Sequence, residues 1–368
     1  MLSSPVGVVT DLDGTVVFGG VADPRLAPFL RRAAGREDIS VIVATSRAPR
    51  GMAEVLGDAV TCLEGSVCLN GALLRLGDKE RRYPMRADHV RAVVDAAFRA
   101  GMPLYVDQGH SFTALAGHDP LAEPSSRAVS AAVSDVAASP GAAAEKETRR
   151  RGGQDSETAP GLWDGLEHMR DYPDGKWYTD PAQVPTEDVL KVTVVSRRYQ
   201  GRAGQDIIRQ RIADPLQGAS GTRAAGAQET GGPEPADTLQ DLLGLRLDGV
   251  VAYPHEDGVV DVCAAGVDKS VCMRLPTGEE ELAASGWADT SGRTAVMGQT
   301  PGLRHRPVST WVAVGNDAND VAMIRAADIG VIVGDGLEEV RARRRTVRVP
   351  SRPGAVVSIL EQLLELHH

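Results

Sequence analysis

The junction between an apolar run, Val6 to Thr10, and the segment Asp11-Leu12-Asp13-Gly14-Thr15 constrains this chain more than any other. The run suits a short strand buried in a sheet. Two aspartates one residue apart, just past its end, hold their carboxylates close together at the sheet edge. Such a pair repels itself unless a cation intervenes or one member is protonated. Gly14 lets the backbone turn close to a ligand, and the Thr15 hydroxyl can tie the turn together. Asp and Gly are also ordinary at strand exits, so the junction takes its meaning from its surroundings.

Those surroundings alternate strand and helix. Leu26 to Ala34 reads as a helix and Ile39 to Ala44 as a second buried strand. Arg50 to Leu56 opens the next helix, and Ala59 to Leu63 reads as a third strand. This alternation predicts a parallel sheet with helices on its faces, where ligands sit beyond the carboxyl ends of the strands. Asp11 and Thr45 both stand at such ends.

From about Pro84 the pattern changes. Asp88 to Ala100 places Val90, Val93, Val94, Ala97 and Phe98 on one helical face, with Gly101 as its stop. Leu104 to Val106 and Val189 to Val195 read as strands. Val250 to Tyr253 and Val259 to Cys263 flank a hairpin turn at Pro254-His255-Glu256-Asp257-Gly258. The parallel pattern resumes near Gly266, with a strand at Val312 to Val314, a helix at Val321 to Ala327, a strand at Ile329 to Val333 and an amphipathic helix ending at Leu364. The expected architecture is α/β: a Rossmann-like core from residues 1–83 and 265–368, and an inserted α+β domain over 84–264. Residues 116–160 and 217–237, rich in Ala, Ser, Gly and Glu or in Gly, Thr and Pro, lack periodicity and read as loops. A chain of 368 residues accommodates two such domains.

Three further segments carry chemistry. Gly315-Asn316-Asp317-Ala318-Asn319-Asp320 again follows a buried strand and precedes a helix. Asn319 or Asp320 could serve as helix caps, but four such side chains in six residues exceed what capping needs. They suit Mg²⁺, a hard cation that prefers oxygen ligands, waters and phosphate. Ala44-Thr45-Ser46-Arg47 offers hydroxyls and backbone N–H groups to phosphate oxygens. Lys269 is one of only five lysines, with Lys79, Lys146, Lys176 and Lys191, in a chain whose other cations are arginines. A lysine in such a chain points to a need for its compact ammonium.

Composition narrows the partners. The net charge of −10 argues against a general affinity for nucleic acid or anionic membrane. No apolar stretch approaches the ~20 residues that span a bilayer, no signal peptide is evident, and Cys62, Cys68, Cys263 and Cys272 lack zinc-ligand spacing. A cytoplasmic location is the expectation. No GxxxxGK[ST] loop points to a nucleotide kinase.

Together these segments resemble the haloacid dehalogenase superfamily, in its Cof-type (IIB) branch, whose second domain is inserted between the second and third motifs. Asp11 to Thr15 matches the first motif, DxDGT. Ala44 to Arg47 resembles the second, with Ser46 in place of a glycine, and Asn70-Gly71-Ala72 matches a following NGA. Lys269 falls on the third motif and Gly315 to Asp320 on the fourth, usually GDxxND. Asn316 stands where the family usually has a metal-ligating aspartate, and Asp317 is placed to restore the missing charge.

The resemblance implies a Mg²⁺-dependent phosphatase acting on a small phosphorylated metabolite, a sugar or polyol phosphate. Asp11 would be the nucleophile and Asp13 the general acid and base. Thr45, Ser46, Lys269 and Asn319 would hold phosphate, and Asp11, Asp13, Asn316 and Asp320 the metal. Arg47, Lys191, Trp177 and Tyr178 would meet the substrate beneath the insert. A phosphosugar mutase and a non-catalytic phosphosugar binder are the competing readings.

Overall fold

The computed structural model describes residues 5–117, 169, 172–200, 243, 245–255, 257–274, 288–289 and 308–366. The two low-complexity segments therefore lie outside the described residues, apart from Ala116 and Gly117.

In chain order the strands are β1 (Val6–Thr10), β2 (Val17–Phe18), β3 (Val21–Ala22), β4 (Ile39–Ala44), β5 (Gly65–Cys68), β6 (Leu73–Leu76), β7 (Lys79–Arg82), β8 (Leu104–Asp107), β9 (Phe112–Leu115), β10 (Gly175–Tyr178), β11 (Lys191–Gln200), β12 (Val250–Pro254), β13 (Asp257–Ala264), β14 (Ala288–Asp289), β15 (Thr310–Gly315), β16 (Ile329–Val333) and β17 (Arg345–Val349). The helices are α1 (Leu26–Ala34), α2 (Pro49–Leu56), α3 (Ala87–Arg99), α4 (Val321–Ala326) and α5 (Ala355–Leu364). Among the described residues no helix is long and apolar enough to cross a membrane.

One sheet has the order β14-β7-β6-β5-β4-β1-β15-β16-β17, and β5 through β17 in that row run parallel. Its central strands β1, β4, β15 and β16 read as nearly unbroken apolar runs because both faces are covered. Val6 and Val8 face a cluster holding Phe29, Leu30, Val357 and Leu360, whereas Val9 faces Met323 and Ile324. The chain leaves β1 towards β4 on one side and returns at β15 on the other. That reversal opens a crevice beyond the carboxyl ends of β1, β4 and β15, the usual ligand position in such sheets.

The expected strand at Ala59 to Leu63 is a correction. Gly57–Cys62 is a 3-10 turn, and the third parallel strand is β5, a few residues later. The buried Ala59, Val60 and Leu63 follow helical spacing (i, i+1, i+4) and pack on the same cluster as α1 and α2. Their apolar character, without alternation, does not distinguish the two states. The hairpin β6–β7 and the strand β17 are additions to the expected elements: β6 is too short an apolar stretch to reveal its state, and β7 (KERR) and the half-exposed β17 (RTVRV) carry little apolar signal.

A second sheet, β10-β9-β8-β11-β13-β12, is drawn from residues between 104 and 264 and forms an inserted α+β layer. Here alternation has its usual meaning. Leu104, Val106, Leu115, Val192, Val194, Val260 and Val262 pack with Val90, Val93, Val94 and Ala97 of α3. The opposite register carries Asp107, Lys191, Thr193 and Asp261, which are buried as well. That face meets the first sheet's crevice.

Candidate active site

Asp11 leaves β1 with its backbone N–H bonded to the Val314 carbonyl of β15, so the acidic loop starts in register with its neighbour. The loop closes on itself, with the N–H groups of Thr15, Val16 and Val17 all donating to the Leu12 carbonyl. Gly14 has φ +73, and a Cβ there would come 2.5 Å from the Asn316 side chain, so only glycine allows this approach. Gly315 is equally constrained, because a Cβ would lie 2.4 Å from that of Asp320.

Lys269 reaches this loop from the turn Lys269–Arg274. Its ammonium, 1% exposed, donates to Asp11 Oδ1 and Asp320 Oδ1, each at 2.7 Å. Burial alone would lower its pKa, but the two carboxylates outweigh this and hold it charged. Asp11 is buried too. Loss of solvent, then the nearby Asp320 charge, push its carboxyl up to about 7 against the opposing pull of Lys269. The Thr15 hydroxyl donates to Asp11 Oδ2 at 3.1 Å.

Asp320 turns its other oxygen to the backbone N–H groups of Asn316 and Asp317, at 2.9 and 3.0 Å. It therefore shapes the fourth-motif loop rather than facing Asp13. Asp317 caps the turn Ala318–Asp320 and faces His255 of the insert, with 3.8 Å between Oδ2 and Nδ1. Asn316, not Asp317, reaches the first aspartate.

One end of the Asn316 amide lies 3.2 Å from Asp11 Oδ2, 3.0 Å from the Asp13 carbonyl oxygen and 2.8 Å from the Thr15 hydroxyl. These neighbours assign the NH₂ group to that end when no cation is present. Turned over, the amide presents an oxygen to the same Asp11 and Asp13 oxygens. Adjacent oxygens around Mg²⁺, each bonded at ~2.1 Å, stand about 3 Å apart, so the donor set fits a small hard cation. Among the described residues no cluster of three or more His, Cys, Asp or Glu side chains has metal-holding geometry. Here the set is one carboxylate, one carbonyl and one amide.

Asp13 is partly exposed and forms a two-pronged ion pair with Arg47, at 2.7 Å from Nε and 2.8 Å from the terminal nitrogen. That hydrogen bond, more than the accompanying charge, holds the guanidinium above its ordinary pKa despite partial burial. Thr45 is fully buried, and its hydroxyl accepts the Arg47 N–H at 3.1 Å. Asn70 N–H donates to the Thr45 carbonyl and Leu69 N–H to that of Arg47, which braces the loop beyond β4. Lys191 Nζ donates to the Ser46 carbonyl at 2.9 Å. Asn319 donates to Asn70 Oδ1 at 3.0 Å, while its own Oδ1 is buried without a protein partner.

Thus Asp11, Asp13, Thr45, Ser46, Arg47, Lys269, Asn316, Asn319 and Asp320 meet at one crevice, with Lys191 above it. Trp177 and Tyr178 do not join them. They lie on the edge strand β10, where Trp177 packs edge-on to Phe112 at 6.0 Å and Tyr178 packs on the α3 cluster. The nearer aromatic is Tyr172, whose hydroxyl donates to Glu54 at 2.5 Å and whose ring lies under Arg50. Sequence reasoning missed Tyr172, His255 and Asp261. His255 stood in the expected hairpin turn, but nothing local marked its reach.

The model of the haloacid dehalogenase-like hydrolase family matches residues 8–116. No curated protein is similar to the chain in sequence. Among solved structures, the subclass IIB sugar phosphatase BT4131 is 13% identical, with 97% of this chain and 98% of that one covered and a TM-score of 0.56. SMU.1108c from Streptococcus mutans is 14% identical, with 99% and 100% covered and a TM-score of 0.59. The phosphatase BT1666 from Bacteroides thetaiotaomicron is 15% identical, with 97% and 94% covered and a TM-score of 0.51. At these identities the likeness is one of fold. The match over residues 8–116 spans Asp11 to Thr15 and Ala44 to Arg47, the first two of the segments that the crevice gathers, and is a similarity to the haloacid dehalogenase-like hydrolases.

Proposed function

We propose that the protein is a phosphomonoester hydrolase that passes the phosphoryl group through Asp11. The observation that carries this reading is the buried trio of Asp11, Lys269 and Asp320 at the sheet's switch point, with Asp13 two residues on and open to the crevice. Asp320 and Lys269 have little other reason to be buried together, since a buried ion pair is weak as a stabiliser.

Asp11 attacks phosphorus, so that one Asp11–phosphorus bond forms as the bond to the leaving oxygen breaks. Asp13, once protonated, gives its proton to that oxygen, then takes one from the water that hydrolyses the acyl phosphate and frees Asp11. Its exchange of partners begins with Arg47, whose two-pronged ion pair holds the carboxylate until a substrate draws the guanidinium away. Lys269 neutralises charge beside the transferring group. The Thr45 hydroxyl, already accepting from Arg47, retains its own proton for a phosphate oxygen. Asp11, the Asp13 carbonyl and the Asn316 amide oxygen would hold Mg²⁺, which offsets repulsion between an anionic nucleophile and phosphate.

The insert, over residues 84–264, closes the crevice and selects the leaving group. Its polar roof and the cations Arg47 and Arg50 suit a small hydroxylated, anionic substrate, and we take a sugar or polyol phosphate as the class. The test is phosphate release from a panel of such esters with and without Mg²⁺. Wild type should turn over at least one ester only with Mg²⁺, and Asp11→Asn should lose at least ~10³-fold of that rate. Near-wild-type turnover by Asp11→Asn would refute the mechanism, and isomerised ester without free phosphate would indicate a mutase.

A further inference from the structure

Asp261 in β13 has no place in the chemistry above, yet it is 2% exposed and among the most heavily hydrogen-bonded side chains at the crevice. Its Oδ1 accepts from Thr193 Oγ1 at 2.8 Å and lies 3.0 Å from Lys191 Nζ. Its Oδ2 accepts from Asn70 Nδ2 at 2.9 Å and Lys191 Nζ at 3.1 Å, and stands 3.2 Å from His255 Nε2.

Three of these partners have a second attachment, and each ends on a motif loop. Lys191 donates onward to the Ser46 carbonyl, in the loop after β4. Asn70 accepts from Asn319, in the loop after β15. His255 faces Asp317 in that same loop through its other ring nitrogen. Asn70 holds this position at φ +56, and Leu69 before it is at φ +54. Side chains rarely adopt that region, and bulky ones least, unless their surroundings impose it.

We propose that Asp261 is a positioning residue: one carboxylate from the insert that braces both the loop after β4 and the loop after β15 through Lys191, Asn70 and His255. The charges suit this role. Two cations flank the carboxylate, and solvent is excluded, so each hydrogen bond is charge-assisted and directional. Burial by itself would raise the Asp261 pKa, but Lys191 and then His255 hold it far below the usual carboxylate range. The carboxylate therefore stays ionised and keeps all its donors across the neutral range. Because every oxygen is occupied, it acts through its neighbours and not on a substrate.

The catalytic consequence rests on the proposed phosphatase reading, whereas the brace itself does not. Amide hydrogen exchange on the whole chain tests the brace directly. In Asp261→Asn, amides of residues 45–47 and 316–318 should exchange roughly tenfold faster, the loss of about one net hydrogen bond, while β16 and β17 stay at wild-type rates. Lys191→Met should accelerate only 45–47, and His255→Gln only 316–318, which keeps the test decisive where Asp261→Asn does not fold. On whichever ester the wild type hydrolyses, Asp261→Asn should lower kcat about ten- to a hundredfold, with KM changed less than about threefold, as expected for misplaced reacting groups.

The brace is overturned by unchanged exchange in both loops, by acceleration spread equally over β16 and β17, or by Lys191→Met and His255→Gln acting alike on both loops. Altered exchange with wild-type kcat and KM overturns the positioning role. Absence of phosphate release by the wild type would sink the phosphatase reading and leave the exchange pattern to decide the brace.

Discussion

The two sheets place their reactive groups in different ways. The nine-stranded sheet is apolar on both faces at its centre and concentrates its chemistry at strand ends: Asp11 after β1, Thr45 after β4, Asn316 after β15. The six-stranded sheet has one apolar face under α3 and uses the other, where Lys191, Thr193 and Asp261 are buried polar groups in mid-strand or at a strand start. End-of-strand groups are set by loops and can approach a ligand closely. Face groups are set by sheet register, so they hold fixed spacing and make a rigid roof. On the proposed mechanism, the difference accounts for an attacking carboxylate at a strand end of the first sheet and for bracing groups on the face of the second.

The sharpest way to break this comparison is at the ends of the first sheet. Lys269→Met should leave Asp11 and Asp320 buried without their shared cation. The expected loss is about 3–5 kcal/mol in urea unfolding, together with loss of phosphate release. Unchanged stability would mean that the trio is not a buried ion cluster. The apolar face of the second sheet should behave differently. Leu104→Ala removes a fully buried side chain beneath α3 and should cost ~2–5 kcal/mol. The kcat of the folded fraction should stay near wild type, since that face is turned away from the crevice.

Asn316→Asp tests the metal position with a smaller effect. A carboxylate there faces Asp11 Oδ2 and the Asp13 carbonyl, with the single proton of the Thr15 hydroxyl to share between the two carboxylates. The variant should therefore melt lower than wild type without Mg²⁺, bind Mg²⁺ more tightly by calorimetry, and show the larger Mg²⁺-induced rise in Tm. Equal Mg²⁺ affinity in the two proteins would remove Asn316 from the ligand set.

The smallest effect belongs to the rim of the insert. Asp88 is exposed at the start of α3, where the Arg86 guanidinium, 2.7 and 3.0 Å from its oxygens, holds its carboxyl down at about 2. A depressed folded-state pKa contributes stability above the unfolded value of about 3.9 and loses it as pH falls towards 2. The stability gap between wild type and Asp88→Asn should therefore be small and constant above pH ~4, and close between pH ~4 and ~2. A gap that persists at pH 2 would assign the effect to helix propensity and not to charge.

Much of the site was legible locally. Asp11, Asp13 and Gly14 lie within four residues of one another, and a short strand followed by a tight turn places them with little help from the rest of the chain. The same holds for Gly315 to Asp320. Lys269 was legible through the scarcity of lysine and the family resemblance, because its partner Asp11 is 258 residues away. The strand expected at Ala59 failed for a local reason, since a few apolar residues fit a 3-10 turn as well as a strand. Trp177 and Tyr178 were placed by tertiary structure, on the edge strand β10 with no contact to the motif loops among those described. Aromatic rings suit both sugars and cores, and only the position of β10 at the sheet edge decided between them.

The sequence by itself determined the parallel core, the existence of an insert and the two acidic loops, because each depends on patterns within about a dozen residues. Tertiary structure alone decided that Asn316 rather than Asp317 meets Asp11, that Arg47 holds Asp13, and that Asp261 joins Lys191, Asn70 and His255. The Asn316 amide, for one, also meets Thr15 across 301 residues of chain. The geometry of these contacts follows from sheet order and strand register, which arise only when both sheets pack and exclude water.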